Sequence, residues 1–251
     1  MTDDFYIGYL PEAGPRLASH LRRTSVLLIL VILGVGAALV SSMGGFSAAV
    51  FEYGIEREFE GVIRTSPAQE LIVERPGRSS DAPATSSYLL VAFGKFGAGN
   101  EIGELHGHRV RLRGTLIYRD DQTMIEIAPG SVEDQGPAPA LADTAEELGV
   151  QTLAGEIVDS KCFLGVMKPG NLKPHRACAV RCISGGVPPV LLVRNSKGLA
   201  TYYFLVAADG RAVNADVLER VAEPLRIEGR VVRRAGRLFL YADPSTYEAL
   251  D

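Results

Sequence analysis

The hydrophobic pattern divides the chain into one long apolar run near the N-terminus and a body of short alternating segments. Residues 25–46 contain no charged side chain. At about 1.5 Å per residue, a helix of this length spans the roughly 30 Å hydrocarbon core of a bilayer. The charges that flank the run are basic on its N-terminal side and acidic on its C-terminal side: Arg16, His20, Arg22 and Arg23 before it, Glu52, Glu56, Glu58 and Glu60 after it.

This charge asymmetry predicts the orientation of the run in a membrane, because the basic flank of a spanning helix stays in the cytoplasm. We expect residues 1–23 to form a cytoplasmic tail and residues 24–50 a single transmembrane anchor. The bulk of the chain would then lie in the periplasm, on the outer side of a bacterial inner membrane. A cleaved signal peptide is the alternative, but the run exceeds the 7–15 apolar residues of a typical signal core.

The body of the chain contains an internal repeat at a constant offset. SYLLVAFG aligns with TYYFLVAADG, which places Tyr88 on Tyr203, and the same offset places Gly114 on Gly229 in the segments that follow. Apolar and polar residues alternate with period 2 in both copies, which is typical of β-strands. The fold class is therefore mainly β, with two similar domains in tandem after the anchor.

Each copy contains four recognisable strand segments, a helix-like turn and a hairpin, an order that suits a small five-stranded OB-like barrel. We expect the first OB-like domain at residues 52–133 and the second at 151–248. Residues 134–150 are predicted to be a Pro- and Ala-rich linker, with a short helix over 142–150. Short helices are also expected over residues 101–107 and 215–222.

The second copy is longer than the first between its opening strand and the next shared strand, from Gly155 to Tyr203 compared with Gly61 to Tyr88. The extra residues contain all three cysteines of the chain and one of its four histidines. We therefore predict that a Cys- and His-bearing helical insertion has been added to the second barrel, where loops commonly carry function.

Four residues of this insertion form a candidate metal site. His175, Cys178 and Cys182 are spaced i, i+3 and i+7, which places them on one face of a helix. Cys162 precedes them across a Pro- and Gly-containing loop that can fold back. One His and three Cys are the ligands of a closed tetrahedral zinc site, so zinc is favoured. Copper(I), with Met167 nearby, and an iron–sulfur cluster remain open.

Other interpretations of the same residues do not need a metal. Cys162 could form a disulfide with Cys178 or Cys182, leaving one free thiol, as extracytoplasmic proteins often do. A redox-active thiol is a third possibility, with Lys161, Arg176 and Arg181 adjacent in sequence. Two further candidates lie outside this set: Asp159 could cap the local loop or pair with His175, and His106 with His108 could bind a metal but more often such histidines are surface residues.

Composition and motifs exclude several functions. The net charge is −4 and the isoelectric point is near 5.7, which gives no electrostatic basis for nucleic-acid binding. The sequence contains no phosphate-binding glycine loop, no G-x-S-x-G and no H-E-x-x-H. No catalytic residue can be assigned, and an enzyme is disfavoured.

The segment GEIVDSKCFLG…HRACAVRCISGGVPP resembles a signature of uncharacterised bacterial secreted or membrane-anchored OB-like proteins, which carry GxxVDxxC, HxxCAxxC and a following GxP. The resemblance covers about residues 153–242. It implies an OB-like fold and an extracytoplasmic location, and it distinguishes the positions Cys162, His175, Cys178 and Cys182. It implies no particular activity.

Taken together, these observations predict a membrane-anchored periplasmic accessory or structural subunit of a membrane redox complex, with a Cys3His metal site in the second barrel. Its expected partners are the membrane and the other subunits of that complex. The alternatives are a copper or iron–sulfur protein for metal handling or electron transfer, and a disulfide-stapled interaction module.

Overall fold

The computed structural model describes residues 14–43, 47–75, 84–140, 145–195 and 199–250. The chain separates into two compact units between Phe46 and Ser47. The first contains a single long helix, and the second contains all of the β-structure.

Helix α1 (Pro15–Met43) contains the apolar run. Its residues Pro15–Ser41 are long and apolar enough to cross a membrane, and none of that stretch is buried. The helix starts earlier than the predicted anchor, because proline is well suited to a first helical turn. The tail residues 1–13 lie outside the described residues. Ala49 and Val50, which the sequence assigned to the anchor, instead pair with strand residues of the β-unit.

The first barrel follows α1. Its strands and helix, in chain order, are β1 (Ala49–Phe51), β2 (Arg57–Arg64), β3 (Glu70–Arg75), β4 (Ala84–Ala92), β5 (Phe96–Gly97), α2 (Gly99–Ile102), β6 (His108–Arg119), β7 (Gln122–Ile127) and β8 (Glu133–Pro137). Five of these strands close a ring in the order β2–β3–β4–β7–β6–β2. The β4–β7 pairing is parallel, and the other four are antiparallel.

The second barrel has the same connectivity. Its elements are β9 (Ala145–Asp159), a π-helical turn (Cys162–Val166), α3 (Leu172–Ser184), β10 (Pro189–Arg194), β11 (Ala200–Val206), a 3-10 turn (Leu218–Arg220), β12 (Pro224–Arg234), β13 (Arg237–Tyr241), a 3-10 turn (Pro244–Thr246) and β14 (Glu248–Ala249). The ring runs β9–β10–β11–β13–β12–β9, again with one parallel pair. Two closed five-stranded barrels in tandem are thus confirmed.

Glycines occupy equivalent positions in the two barrels, at points where neighbouring strands approach closely. A Cβ on Gly61 would lie 2.4 Å from the carbonyl oxygen of Ile72, and a Cβ on Gly155 would lie 2.4 Å from that of Leu192. Gly114 and Gly229 show the same close approach to the strand that follows each of them. A side chain at any of these positions would force neighbouring strands of a barrel apart.

The ring strands missing from the sequence analysis are β3 and β10, the second strand of each ring. Their first residues, 70–72 and 189–192, are all buried, and β10 (PVLLVR) is an apolar run with no alternation to reveal it. Because successive residues of a strand point to opposite faces, both faces are covered over these residues, whereas the C-terminal end of each strand is exposed.

The predicted linker is partly strand. β8 occupies residues 133–137, and β9 begins at Ala145, so the predicted helix over 142–150 is wrong for the described part, 145–150. β9 extends because its residues 145–156 pair with β12, with ion pairs between Glu147 and Arg230 (2.6 Å) and between Glu146 and Arg233 (2.7 Å). The helices predicted over residues 101–107 and 215–222 are shorter in the structure, where they correspond to α2 (Gly99–Ile102) and to the 3-10 turn Leu218–Arg220.

The two barrels pack together through buried charged groups. The guanidinium of Arg237 in the second barrel pairs with Glu70 of the first and donates to the Ser87 hydroxyl at 2.7 Å. Arg237 and Glu70 are 3% and 0% exposed. A buried ion pair is favourable only with such additional hydrogen bonds, so this contact is one of those that hold the two barrels together.

Candidate metal centre

The candidate site lies in the connection between β9 and β10, residues 160–188. The equivalent connection of the first barrel, residues 65–69, is a short loop. The longer connection contains the π-helical turn Cys162–Val166 and helix α3. All four predicted ligands therefore lie in a segment that the first barrel lacks.

Three sets of contacts position α3 on the second barrel. At its start, the backbone N–H of Leu172 donates to the Glu156 carboxylate on β9 at 2.8 Å. At its end, the helix stops before Gly185 and Gly186, the latter with φ +96°. The Asn214 amide donates there to two carbonyls, those of Ile183 (2.8 Å) and Val187 (2.9 Å). On one face, Ala179 and Ile183 pack into the barrel core.

The three cysteine sulfurs are brought together as predicted. The Sγ of Cys162 lies 3.9 Å from the Sγ of Cys178 and 3.9 Å from that of Cys182, and all three lie within 4.8 Å of one another. Cys162 and Cys182 are buried, and Cys178 is partly exposed. Sulfurs that share a tetrahedral zinc at a Zn–S distance of about 2.3 Å are about 3.8 Å apart. The sulfur spacing therefore fits a tetrahedral metal ion.

His175 lies beside Cys162 rather than at the centre of the three sulfurs. With Asp159 and Cys162 it forms a second group whose ligand atoms lie within 4.8 Å of one another. Its Nε2 is 3.0 Å from Oδ2 of Asp159, and both side chains are buried. The other oxygen of Asp159, Oδ1, accepts the backbone N–H of Cys162 at 2.8 Å. Asp159 therefore fills both roles that the sequence allowed, cap of the loop and partner of His175.

This arrangement suits a metal because a metal-binding histidine usually presents its second nitrogen to a carboxylate. Among the described residues, His175 is grouped with Asp159 and Cys162 and not with Cys178 and Cys182, so the structure does not bring all four predicted ligands together. The donor set, three thiols and one imidazole, matches the preferences of zinc and of copper(I). The full four-residue ligand set remains a prediction.

A disulfide is not formed in this structure, where all three cysteines are free. The closest measured sulfur pairs, at 3.9 Å, are well beyond the bonded distance of about 2.05 Å. The separation is nonetheless short enough for two thiols to join after oxidation with a small movement.

The sequence missed the cation beside the sulfurs. Lys95, in the turn between β4 and β5 of the first barrel, donates from Nζ to the Sγ of Cys178 at 2.7 Å. Two basic residues adjacent in sequence point elsewhere: Lys161 pairs with Glu126 of the first barrel, and Arg176 pairs with Glu223. Only the packing of one barrel on the other brings Lys95 to the site, so no local pattern could have revealed it.

The thiols of Cys162 and Cys182 differ in pKa. The hydrogen bond between Cys162 and Cys182 raises the pKa of Cys162 and lowers the pKa of Cys182. Burial and the neighbouring Asp159 carboxylate raise the pKa of Cys162 further. The hydrogen bond to Cys178 raises the pKa of Lys95, so that amine stays charged. Within this pair, the hydrogen bond favours the thiolate at Cys182 over that at Cys162.

The Asp159–His175–Cys162 order resembles that of a nucleophilic cysteine with its base and orienting acid. Burial argues against such chemistry. Cys162 and His175 are each 4% exposed and Asp159 is 0% exposed, which leaves no room for a substrate carbonyl at the sulfur.

The remaining candidates are dispersed. His106 Nδ1 contacts the Thr65 hydroxyl at 3.1 Å, and His108 Nδ1 contacts Asp134 at 2.9 Å. Among the described residues, neither histidine belongs to a group of three potential metal ligands. Met167 is 43% exposed, and its backbone N–H donates to the Cys162 carbonyl at 3.2 Å.

No protein-family profile matches this chain, and no curated protein sequence is similar to it. The function must therefore be inferred from the site and the fold.

Proposed function

We propose that this chain is a single-span membrane protein of a bacterial inner membrane whose periplasmic two-barrel body holds a structural Cys3His zinc site and acts as a non-catalytic accessory subunit of a membrane redox complex. Cys162, Cys178, Cys182 and His175 hold the metal, and Asp159 orients His175. The ion supplies cross-links within residues 160–188; it does not activate a substrate.

The observation that carries this proposal is the close spacing of the three cysteine sulfurs, with Cys162 Sγ 3.9 Å from each of the other two, together with the burial of most of the proposed ligands. Cys162, Cys182 and His175 are at most 4% exposed. Closed sites of this kind are structural, whereas a catalytic zinc keeps one coordination position open to water or substrate. Zinc is favoured over copper because an imidazole backed by a carboxylate completes a four-coordinate set.

Orientation and location rest on the charge asymmetry around α1. The helix is apolar enough to span a bilayer. Basic residues lie before residue 25 and acidic residues after residue 50, which favours a cytoplasmic N-terminus and a periplasmic body. Tagging the N-terminus and treating spheroplasts with protease tests this: the tag survives in intact spheroplasts, and the barrels are degraded or clipped.

The barrels are best interpreted as OB-like, with residues 160–188 as a helical insertion in the second. The ring order and the single parallel pair are the same in both, and the difference is confined mainly to one connection. Small barrels of this type bind partners through their loops. With no catalytic group to assign, an anchored pair of such barrels suits an assembly role in a larger complex.

An electron-transfer or metal-handling protein is the second candidate, and one observation favours it. Cys178 is the least buried of the three sulfurs, so a copper(I) ion or an iron–sulfur cluster would have one accessible edge. In that case the metal takes part in redox chemistry or in metal exchange with another protein.

Metal content and thiol counting on the full-length protein, purified in mild detergent, test the proposal. We expect one zinc per chain and three thiols that react only after chelation and unfolding. Copper or iron in place of zinc would establish the second candidate. Absence of metal with one reactive thiol would replace both with a disulfide-stapled interaction module.

Co-isolation from the membrane tests the accessory role separately. We expect the full-length protein to migrate with redox-active subunits on native gels after mild solubilisation. A protein that binds zinc but always isolates alone would contradict the subunit role and leave the metal site intact.

A further inference from the structure

The cysteine-bearing segment also makes close contacts with the first barrel. At its C-terminal end, Lys95 of the first barrel reaches the Sγ of Cys178, and the backbone N–H of Gly97 donates to the Gly185 carbonyl at 2.9 Å. Gly97 and Gly186 meet so closely that a Cβ on Gly97 would lie 2.2 Å from the Gly186 carbonyl oxygen. The end of α3 therefore rests directly on the β4–β5 turn.

The N-terminal end of the segment reaches the same part of the first barrel. Lys161, which directly precedes Cys162, is 2% exposed. Its Nζ donates to the carbonyls of Ala92 (2.8 Å) and Gly94 (2.6 Å) and pairs with Glu126. Both ends of the cysteine segment thus converge on residues 92–97 of the first barrel.

The π-helical turn adds a third contact. Phe163 packs under the guanidinium of Arg119, at 4.3 Å from the ring centroid, and a Cβ on Gly165 would lie 2.5 Å from the Val50 carbonyl oxygen. Arg119 and Val50 belong to β6 and β1. The turn that begins at Cys162 is therefore in contact with the first barrel along its length.

The sulfurs connect these contacts to one another. Cys162 is on the turn, and Cys178 and Cys182 are on α3. Without a metal, thiols contribute only weak hydrogen bonds, so the turn and the helix would be joined loosely at this point. A metal bound to all three would join them firmly, in the relative position that both need to contact residues 92–97.

We propose that metal binding at the cysteine cluster controls the docking of the two barrels, and that Lys95 is the first-barrel residue that couples the two events. This inference rests on the proposed metal site. The Lys95 ammonium offsets the negative charge of the thiolates, so the docked arrangement binds the metal more tightly, and by linkage the metal favours the docked arrangement. Lys95 acts here as a positioning residue and not as a ligand.

Hydrogen–deuterium exchange on the full-length, zinc-loaded protein in detergent tests the coupling. Removing zinc with a chelator is expected to raise exchange at least tenfold in peptides that cover residues 92–97 and 160–166. Peptides covering 224–231, the part of β12 that pairs with β9 and β14 and lies before Arg237, serve as the internal control and should not change.

Three results would overturn the inference or its basis. Faster exchange confined to residues 160–188, with 92–97 still protected, would mean that the metal only orders its own loop. Loss of protection throughout 224–231 as well would mean that the metal maintains the whole second barrel and does not act on docking. Failure of the full-length protein to bind zinc at all would overturn the proposed site and the coupling together.

Substitution of Lys95 tests its role. We expect Lys95→Met to weaken zinc binding about tenfold, as measured by competition with a chromogenic chelator, because a hydrogen bond to a charged group is lost. Lys95→Arg should retain most of the affinity. Lys173→Met, which removes an exposed lysine on the same helix as Cys178, is the matched control. Unchanged zinc affinity and unchanged protection at 160–166 in Lys95→Met would refute a coupling role.

Discussion

At the scale of single residues, the site depends on side chains whose partners are distant in sequence. Asp159 ends β9 and contacts both the backbone of Cys162 and the ring of His175. Lys95 comes from the other barrel. In the proposed metal site the thiols provide the binding atoms, and these two charged groups set the orientation of His175 and the local charge around the thiols.

Asp159→Asn tests the orientation of His175. The amide oxygen can still accept a hydrogen bond from the Cys162 N–H, but the side chain no longer places a negative charge beside the imidazole of His175. We therefore expect zinc affinity to fall about 10–100-fold, the usual effect of losing a carboxylate behind a metal-binding histidine. Chelator competition on the full-length protein measures this change.

The control for that substitution is Asp209→Asn, an exposed carboxylate outside the site. It should leave the affinity for zinc unchanged. If Asp159→Asn folds normally and binds zinc as tightly as the unmodified protein, Asp159 serves only as a cap of the turn and His175 is not a ligand.

At the scale of elements, glycines allow three close backbone approaches between the barrels, at Gly97, Gly165 and Gly185. Each would place a Cβ within 2.5 Å of a carbonyl oxygen of the facing segment. None of these three has a positive φ, so the requirement for glycine arises from space and not from backbone conformation. Such contacts let a turn, a helix end and a strand pack with no side chain between them.

Gly97→Ala is expected to destabilise the two-barrel unit by about 1–3 kcal/mol, the usual cost of forcing extra atoms into a packed region. Gly99→Ala is the matched control, because its Cβ would meet only the flexible end of Gln69 at 3.3 Å. Urea unfolding of the two detergent-solubilised variants compares them. Equal stability of both variants would show that the barrels are not packed as closely as this structure has them.

At the scale of the whole molecule, buried phenols make stability depend on alkaline pH. Burial raises the pKa of Tyr202, Tyr203 and Tyr247 above the ordinary value of 10.0, with Asp120 adding to the effect at Tyr202. The folded state disfavours the phenolate, so this contribution to stability is complete below pH 10 and is lost as the pH rises above it.

A spectrophotometric titration checks this expectation. Among the nine tyrosines, these three should not ionise near pH 10 while the protein stays folded, and their absorbance change should appear only as it unfolds. In urea at the same pH, all tyrosines should titrate together near pH 10. Complete ionisation near pH 10 in a protein that retains its fold would contradict the burial of these rings.

The sequence determined the elements that depend on local pattern. An uncharged apolar run can only be buried or in a membrane, and it forms the long helix α1. Alternation with repeated glycines defined the strands that close the barrels, and the spacing of His175, Cys178 and Cys182 defined α3. Each of these predictions rests on the residue spacing of a helix or a strand, and that spacing is the same wherever the segment lies in the fold.

The tertiary structure decided what depends on distant parts of the chain. Strands β3 and β10 carry no alternation because their first residues are covered on both sides, and β9 extends into the predicted linker because β12 pairs with it. The contacts of Lys95 with Cys178, and of Lys161 with Glu126, exist only once the barrels are packed together. A sequence pattern reflects the surroundings of residues that are close along the chain. The contacts named here join distant residues, and they form because the barrels close and because a buried charge needs a partner.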